Sequence, residues 1–296
     1  MHPKLPQPVT VADFDALVPD EAAAEAIFTR IRWPDGVCCP GCGSREMTRL
    51  QTRKLWQCRT CRAQTSIRSG FVLHRSKRSL RDWLFAAWRC STPGHSSALG
   101  IARALGSRYD STWLMVHKIR AALAERGQWQ LEGVALLGVA AVPAPKAANG
   151  DPPDKPPVLV ATVLDEDYIA GNPPDAIRFS VAADPAQTPE ELRVVARERH
   201  AHWRAELHVE STTGWYARPP NASWGGRTLS AAHRAVRVWL TDTFGGVSRR
   251  YMSNYLAQLA YVDNRLHRRD ELFAFILRRL AWEPWRPRAD LALPAP

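Results

Sequence analysis

Four cysteines are spaced as the ligands of a metal ion. Cys39 and Cys42 are separated by two residues, fifteen residues follow, and Cys58 and Cys61 repeat the first spacing. Two such pairs present four thiolates from two tight turns, which is the arrangement of a tetrahedral zinc site. The sequence therefore predicts zinc as the cofactor, bound by these four residues, and leaves Cys38 and Cys90 as small apolar side chains.

Two disulfides, or a set of unrelated buried thiols, are the alternatives to zinc. The opening MHPKLPQPVT lacks the basic end, apolar stretch and cleavage site of a secretion signal, so we expect the thiols to stay in a reducing compartment. No window approaches eighteen uninterrupted apolar residues, so we expect no membrane partner. A soluble protein of the cytoplasm, at the bacterial nucleoid, is the predicted localisation.

The positive charge is concentrated in one stretch. Of the net +11, residues 45–89 hold twelve lysines and arginines and only two acids, a net charge of +10. A solvated surface can have the same composition, but basic charge around a metal module favours a polyanionic partner such as double-stranded DNA. The candidate phosphate contacts here are Arg53, Lys54, Arg59, Arg62, Arg68, Arg75, Lys77 and Arg78.

Short elements are predicted around the cysteines. An acidic, alanine-rich stretch before them has apolar residues at helical spacing, namely Ala23, Ile27 and Ile31. The segments TRKLWQC and AQTSIRSGFVL are predicted as strands of a rubredoxin-like zinc ribbon, which is too small to fold without its metal.

Helices follow the ribbon. LRDWLFAAWRC places Leu80, Trp83, Leu84, Ala87 and Trp88 on one face. SSALGIARALG and STWLMVHKIRAALAERG then suggest a helix-turn-helix, with Ser111 or Thr112 capping its second helix and Trp113, Val116, Ile119 and Leu123 facing the core. A three-helix core without a DNA role has the same pattern. The candidate groove contacts are Arg108, Tyr109, Ser111, Thr112 and Lys118.

Strands and helices alternate in the second half of the chain. GVALLGVAAVPAP, VLVATVLDED, AIRFSVAAD and ELHVES are predicted strands, and helices precede and follow the last of them. This order predicts an α/β domain of ribonuclease H-like topology. The expected fold is thus multidomain: an N-terminal helix and zinc ribbon at 1–70, an all-α helix-turn-helix domain at 71–128, and an α/β domain at 129–296.

Together these segments resemble the bacterial insertion-sequence transposases of the zinc-ribbon DDE type. The motifs are RWPDGVCCPGCGS, WQCRTCRAQTSIRSG, HRSKRSLRDW, the helix pair, and TFGGVSRRYMSNYLAQLAYVDNR. The resemblance implies that ribbon and helices bind DNA, while three polar residues of a ribonuclease H-like domain bind two Mg²⁺ ions for strand cleavage and joining.

The three metal-binding residues of that family are missing at the matching positions. Gly138 and Val139 stand where the family has Asp-Glu, and Thr213 stands in place of the second aspartate. The segment 227–241, where the third ligand is expected, contains no Asp, Glu, Asn or Gln. We therefore expect no catalytic residues.

A competing interpretation keeps the enzyme active. LDEDYIAG resembles the family's VDETYIGG, so Asp165 could be a displaced first ligand, with Glu210 as the second and Asp242 or Asn221 as the third.

The sequence thus favours an inactive, transposase-derived DNA-binding protein that acts as a transcription regulator or DNA-organising factor, with an active transposase as the alternative. We also expect a homodimer. A protein partner for the C-terminal domain is a further hypothesis, motivated by Trp215, Trp224, Trp282 and Trp285.

Overall fold

The computed structural model describes residues 5–92, 94–124, 132–141, 157–164, 179–183, 204–211, 234–245, 247, 249–263 and 265–291. Their contacts divide the chain into two compact units. The first unit comprises Met1–Thr92, Ala98–Ala122 and Arg269–Pro287, and the second comprises Pro93–Ser97, Leu123–Arg268 and Arg288–Pro296.

Two helices precede the cysteines. Helix α1 spans Val11–Leu17 behind a Thr10 capping box, and α2 spans Glu21–Arg32 with Asp20 as its N-cap. The spacing of Ala23, Ile27 and Ile31 predicted this helix; its buried residues are Ala24, Phe28 and Ile31, whereas Ala23 and Ile27 are half-buried. Both sets of residues have helical spacing, and the larger Phe28 determines which face is buried.

A three-stranded antiparallel sheet forms the ribbon. Its strands are β1 (Met47–Leu50), β2 (Leu55–Cys58) and β3 (Gln64–Thr65), with β2 in the centre. The sequence missed β1, and the predicted strand at 63–73 is wrong beyond Thr65. There the chain forms turns, because backbone amides bond to nearby serine hydroxyls and not to a neighbouring strand. The Ser66 amide donates to the Ser69 hydroxyl, and the Arg68 amide donates to the Ser66 hydroxyl.

The rest of the first unit is helical. Helix α3 spans Leu80–Ser91, and all five residues predicted for its core face are buried. Helices α4 (Ala98–Ala104) and α5 (Tyr109–Leu123) follow, separated by a turn at Gly106, whose φ of 57° is in the left-handed region. Helix α2 contacts α3, and both contact a helix from the far end of the chain.

That distant helix, α8 (Leu272–Trp282), completes the first unit. It buries Leu272, Phe273, Ala274, Ile276, Leu277, Leu280 and Ala281. The Phe273 amide donates to Gln7 at 2.7 Å, and the Arg279 side chain donates to the Ala122 carbonyl at 2.7 Å. The contacts therefore join residues 269–287 to the ribbon and its helices, whereas the predicted boundaries assign these residues to the C-terminal domain.

The second unit contains a four-stranded sheet. Its strands are β4 (Glu132–Ala141), β5 (Pro157–Leu164), β6 (Phe179–Ala183) and β7 (Arg204–Ser211), in the order β6-β5-β4-β7. The first three strands are successively antiparallel, and β7 is parallel to β4. The sheet is therefore mixed, with three antiparallel strands and one parallel strand.

Helices follow the sheet. Residues 234–242 are helical (α6), and α7 spans Arg249–Asp263. Short 3-10 helices lie at Leu266–Glu271 and Arg288–Leu291. An apolar cluster joins α6 to α7, and the Trp239 indole donates to the Tyr255 carbonyl at 3.2 Å. Within the described residues, no helix has both the length and the apolar character needed to cross a bilayer.

Candidate metal centre and nucleic-acid interface

The four predicted cysteines lie together. Their sulfur atoms are all within 4.8 Å of one another, with Cys39 to Cys61 at 3.4 Å and Cys42 to Cys58 at 3.6 Å. A tetrahedral zinc ion with Zn–S bonds of about 2.3 Å requires sulfurs about 3.8 Å apart. The four cysteines are therefore positioned to bind a zinc ion, as predicted.

Two equivalent turns, here called the knuckles, present the sulfurs. In the first knuckle, residues 39–43, the Cys39 amide donates to the Ser44 carbonyl and the Gly43 amide donates to the Cys39 carbonyl, each at 2.9 Å. In the second, residues 58–62, the Cys58 amide donates to Ala63 at 2.9 Å and the Arg62 amide donates to Cys58 at 3.1 Å. One backbone conformation is thus used twice.

Backbone amides around the sulfurs favour the thiolate form. The Cys61 amide, followed by that of Thr60, lowers the pKa of Cys58 to about 6 against the opposing effect of burial. The Cys42 amide likewise lowers the pKa of Cys39. Because the thiolate is the form that binds zinc, these amides favour metal binding at the first cysteine of each knuckle.

Arg32 attaches the ribbon to α2. Its guanidinium donates to the backbone carbonyls of Ser66, Ile67 and Ser69, with the Ile67 bond at 2.7 Å. It also lies over the ring of Phe71 at 4.3 Å. Burial lowers the pKa of Arg32 to about 10, which leaves it charged at neutral pH.

Glu21 makes a second connection between α2 and the helical region. One of its oxygens accepts from the Leu80 amide at 2.8 Å and the other from the Arg81 amide at 3.0 Å. These are amides of the first turn of α3, where a carboxylate is favoured by both hydrogen bonding and the helix dipole. Neither Arg32 nor Glu21 lies in a distinctive local motif, so sequence patterns alone do not predict these contacts.

Eight of the predicted DNA contacts are exposed. They are Arg53, Lys54, Arg59, Arg62, Arg75, Lys77, Arg108 and Tyr109. Lys54 lies in the hairpin turn between β1 and β2, and Arg59 and Arg62 lie in the second knuckle. These side chains are accessible to a partner.

Three other predicted contacts are half-buried and have partners within the chain. Arg68 donates to the Arg78 carbonyl at 2.5 Å and faces Glu21 at 3.4 Å. Arg78 pairs with Asp82 at 2.9 Å. Lys118 is half-buried, with its Nζ 3.5 Å from the Val72 carbonyl, and burial lowers its pKa. These groups already have partners within the chain.

The start of α5 differs from the prediction. The helix begins at Tyr109, so Ser111 and Thr112 lie in its first turn and do not cap it. The Ser111 hydroxyl donates to the Arg108 carbonyl at 2.9 Å. Thr112 is fully buried, with its hydroxyl 2.7 Å from that of Ser107, so it is not accessible to DNA.

Little of the α5 surface beyond the first turn faces solvent. Val116, Ile119 and Leu123 are buried as predicted, but the polar residues His117 and Arg120 are buried too. Trp113 is half-buried and its ring lies 3.9 Å from that of His117. Any groove contact by this helix therefore has to come from its N-terminal turn, where Arg108 and Tyr109 are exposed.

The residues proposed for catalysis and for a protein partner are only partly described. Gly138 and Val139 lie in β4, Glu210 lies in β7, and Asp242 is exposed in α6. Trp282 is 66% exposed, whereas the Trp285 ring packs 5.6 Å from His74. The remaining predicted residues lie outside the described part of the chain: Asp165, Thr213, Trp215, Asn221 and Trp224.

Comparison with known proteins agrees with the metal centre. A family model described as a transposase zinc-ribbon domain, of the IS1595 type, matches residues 19–64. The match includes α2, both knuckles, β1 and β2, so this part of the chain is a zinc ribbon similar to that of transposases. No curated protein and no solved structure matched the chain.

Proposed function

We propose that this is a zinc-dependent DNA-binding protein derived from a transposase, which regulates transcription or organises DNA and does not cut it. The observation that carries the proposal is the four-cysteine site within a match to transposase zinc ribbons. Zinc holds the ribbon together, and the ribbon presents exposed arginines and lysines that contact backbone phosphates. Helices α4 and α5 act as a helix-turn-helix through Arg108 and Tyr109.

The order of the strands supports a ribonuclease H-like origin for the second unit. This proposal requires three consecutive antiparallel strands and then a strand parallel to the first. Strands β4, β5 and β6 are antiparallel in succession, and β7 is parallel to β4. In this register Gly138 of β4 pairs with Ser211 of β7. Gly138, the position that the resemblance assigns to the first metal ligand, thus lies in β4 beside the end of β7. Neither Gly138 nor Thr213, which stands in place of the second ligand, has a carboxylate.

The register also places Glu210 far from the end of β5, the strand that precedes the alternative ligand Asp165 in the sequence. Leu164, the residue before Asp165, is the last residue of β5 and pairs with Val134 of β4. On its other side, Val134 pairs with Glu206 of β7. Glu210 is four residues further along β7 and two strands away from β5, a separation of roughly 16 Å from Leu164. Two Mg²⁺ ions about 4 Å apart need ligands much closer together than this.

DNA binding and cleavage assays separate the two functions. We expect the full zinc-loaded chain to retain duplex DNA binding in a buffer without Mg²⁺ or Mn²⁺, and to lose it in Cys58→Ser, which removes one zinc ligand. We expect no cleavage or strand transfer with Mg²⁺ or Mn²⁺ on DNA that contains transposon ends. Metal-dependent cleavage that Asp165→Ala abolishes would establish the active transposase instead.

A further inference from the structure

Three residues have a backbone conformation that their side chains disfavour. Among the residues that the structure describes, positive φ outside glycine occurs at Lys54 (52°), Arg62 (62°) and Arg75 (59°). All three are exposed. Left-handed backbone is strained for residues with a Cβ, and Asn and Asp tolerate it best among them. That every exception is Lys or Arg suggests that their positive charge has a role.

The two knuckles provide an internal comparison for Arg62. Gly43 and Arg62 make the same backbone hydrogen bond in their respective turns, and their φ values are 72° and 62°. The first knuckle therefore has glycine, the residue that this conformation favours. The second knuckle has arginine at the equivalent position.

The knuckles also differ in charge. The first reads CPGCG and has no charged side chain, whereas the second reads CRTCR and has Arg59 and Arg62. Arg59 is anchored through a hydrogen bond from its Nε to the Thr48 hydroxyl at 2.9 Å. Within the described part of the chain, the Arg62 guanidinium has no ion pair and no hydrogen bond. Its charge is therefore available to a group outside the chain.

We propose that the second knuckle is a phosphate-contacting site of the ribbon, with Arg62 bound to the phosphodiester backbone of duplex DNA and Arg59 beside it. The strained conformation of Arg62 is retained because a glycine there would lose this contact. The uncharged first knuckle does not contact the DNA backbone. This inference rests on the proposed function. It adds that the second knuckle is the side of the metal centre that contacts the duplex.

The experiment compares the wild type with Arg62→Gly and Arg62→Ala, all as zinc-loaded full chains. Binding to a labelled mixed-sequence 40-base-pair duplex is measured by fluorescence anisotropy at several salt concentrations between about 50 and 200 mM. We expect each variant to bind about 5- to 10-fold more weakly, because one charged hydrogen bond is lost. The slope of log K against log salt should become less steep by about 0.9.

Stability distinguishes a binding role from a structural one. Arg62→Gly relieves the left-handed strain, so its Tm should be equal to or higher than that of the wild type, with one zinc per chain. Arg62→Ala retains the strain and should show no such gain. A lower Tm or loss of zinc in Arg62→Gly would overturn the inference, because Arg62 would then be needed for the fold.

An exchange variant tests whether position matters. Gly43→Arg combined with Arg62→Gly keeps the composition and net charge but moves the guanidinium to the first knuckle. We expect it to bind as weakly as Arg62→Gly. Affinity equal to that of the wild type would show that only net charge matters and would overturn the inference.

The remaining outcomes separate this inference from the proposed function. Unchanged affinity and slope in Arg62→Gly, with normal binding by the wild type, would refute the role of Arg62 alone. Failure of the zinc-loaded wild type to bind the duplex at about 50 mM salt would refute DNA binding itself. Tighter binding of a single-stranded RNA of the same length would overturn the assignment to duplex DNA.

Discussion

Arg32 and Arg62 are both arginines near the zinc site, but they serve different purposes. Arg32 is enclosed by three carbonyls and two aromatic rings, whereas Arg62 is exposed. Net charge alone does not distinguish them, because both count equally in the basic composition. Their contacts do distinguish the two residues, and each role predicts a different response to substitution.

Arg32→Met should destabilise the first unit by about 2 to 4 kcal/mol, because three backbone carbonyls lose a charged donor. Urea unfolding in excess zinc measures this free energy. Arg30→Met is the matched control, since Arg30 lies in the same helix but is exposed. The control should change stability by about 0.5 kcal/mol or less. Equal effects of the two substitutions would contradict the anchoring role of Arg32.

His117 should make stability depend on pH. Burial, reinforced by the charge of Arg120, lowers its pKa from 6.5 to about 3. Below pH 6.5 the unfolded chain therefore binds a proton that the folded chain does not, so stability falls as the pH decreases towards 3. The loss due to this group is about 2 kcal/mol at pH 5.

Unfolding of wild type and His117→Gln at pH 7 and pH 5 isolates this contribution. Zinc release at low pH affects both proteins, whereas the histidine effect is present only in the wild type. The stability difference between the two proteins should therefore change by about 2 kcal/mol between these pH values. The same difference at both values would show that His117 titrates normally in the folded state.

Among the elements of the first unit, α8 comes from the far end of the chain and packs with α2 and α3. Leu277 is buried on its inner face, and this helix contacts both α2 and α3. Leu277→Ala should cost about 2 to 4 kcal/mol. Hydrogen exchange should show the loss of protection in α2 and α3, far away in sequence, as well as in α8.

Trp282→Ala is the control for this prediction. Trp282 lies in the same helix but is 66% exposed, so its removal should leave protection in α2 and α3 nearly unchanged. If Leu277→Ala leaves α2 and α3 fully protected, the first unit is independent of α8 and the division of the chain is wrong.

Local patterns predicted some elements well and others poorly. The cysteine spacing identified the zinc ligands, and the apolar periodicity of α3 identified its buried face, because both signals lie within a few residues. The strand β1 has only four residues, all half-buried, and therefore lacks a clear alternation of apolar and polar residues. The contact of α8 with α2 joins residues some 250 positions apart, which no local pattern encodes.

For the whole molecule, the exposed charges predict a strong dependence of DNA affinity on salt. Six of the predicted phosphate contacts are exposed on the ribbon and the segment after it: Arg53, Lys54, Arg59, Arg62, Arg75 and Lys77. If all six contact phosphates, log K against log salt should have a slope of about −5. Anisotropy titrations should then show roughly a thousandfold weaker binding at 200 mM than at 50 mM salt.

In contrast to these exposed residues, three basic residues of the predicted interface are half-buried, namely Arg68, Arg78 and Lys118. They have partners within the chain and should contribute little to the salt dependence. A slope near zero would refute the phosphate contacts altogether. A slope much steeper than −5 would mean that further basic residues take part.

The position of α8 also has a consequence for synthesis. Helices α2 and α3 leave the ribosome early, but α8, which packs against both of them, is made much later. Some 190 residues separate the end of α3 from the end of α8. Since a ribosome adds about 5 to 20 residues per second, α8 is completed about 10 to 40 s after α3. The nascent chain therefore exposes part of its core until α8 has been made, and chaperones that bind apolar segments should protect it during this time.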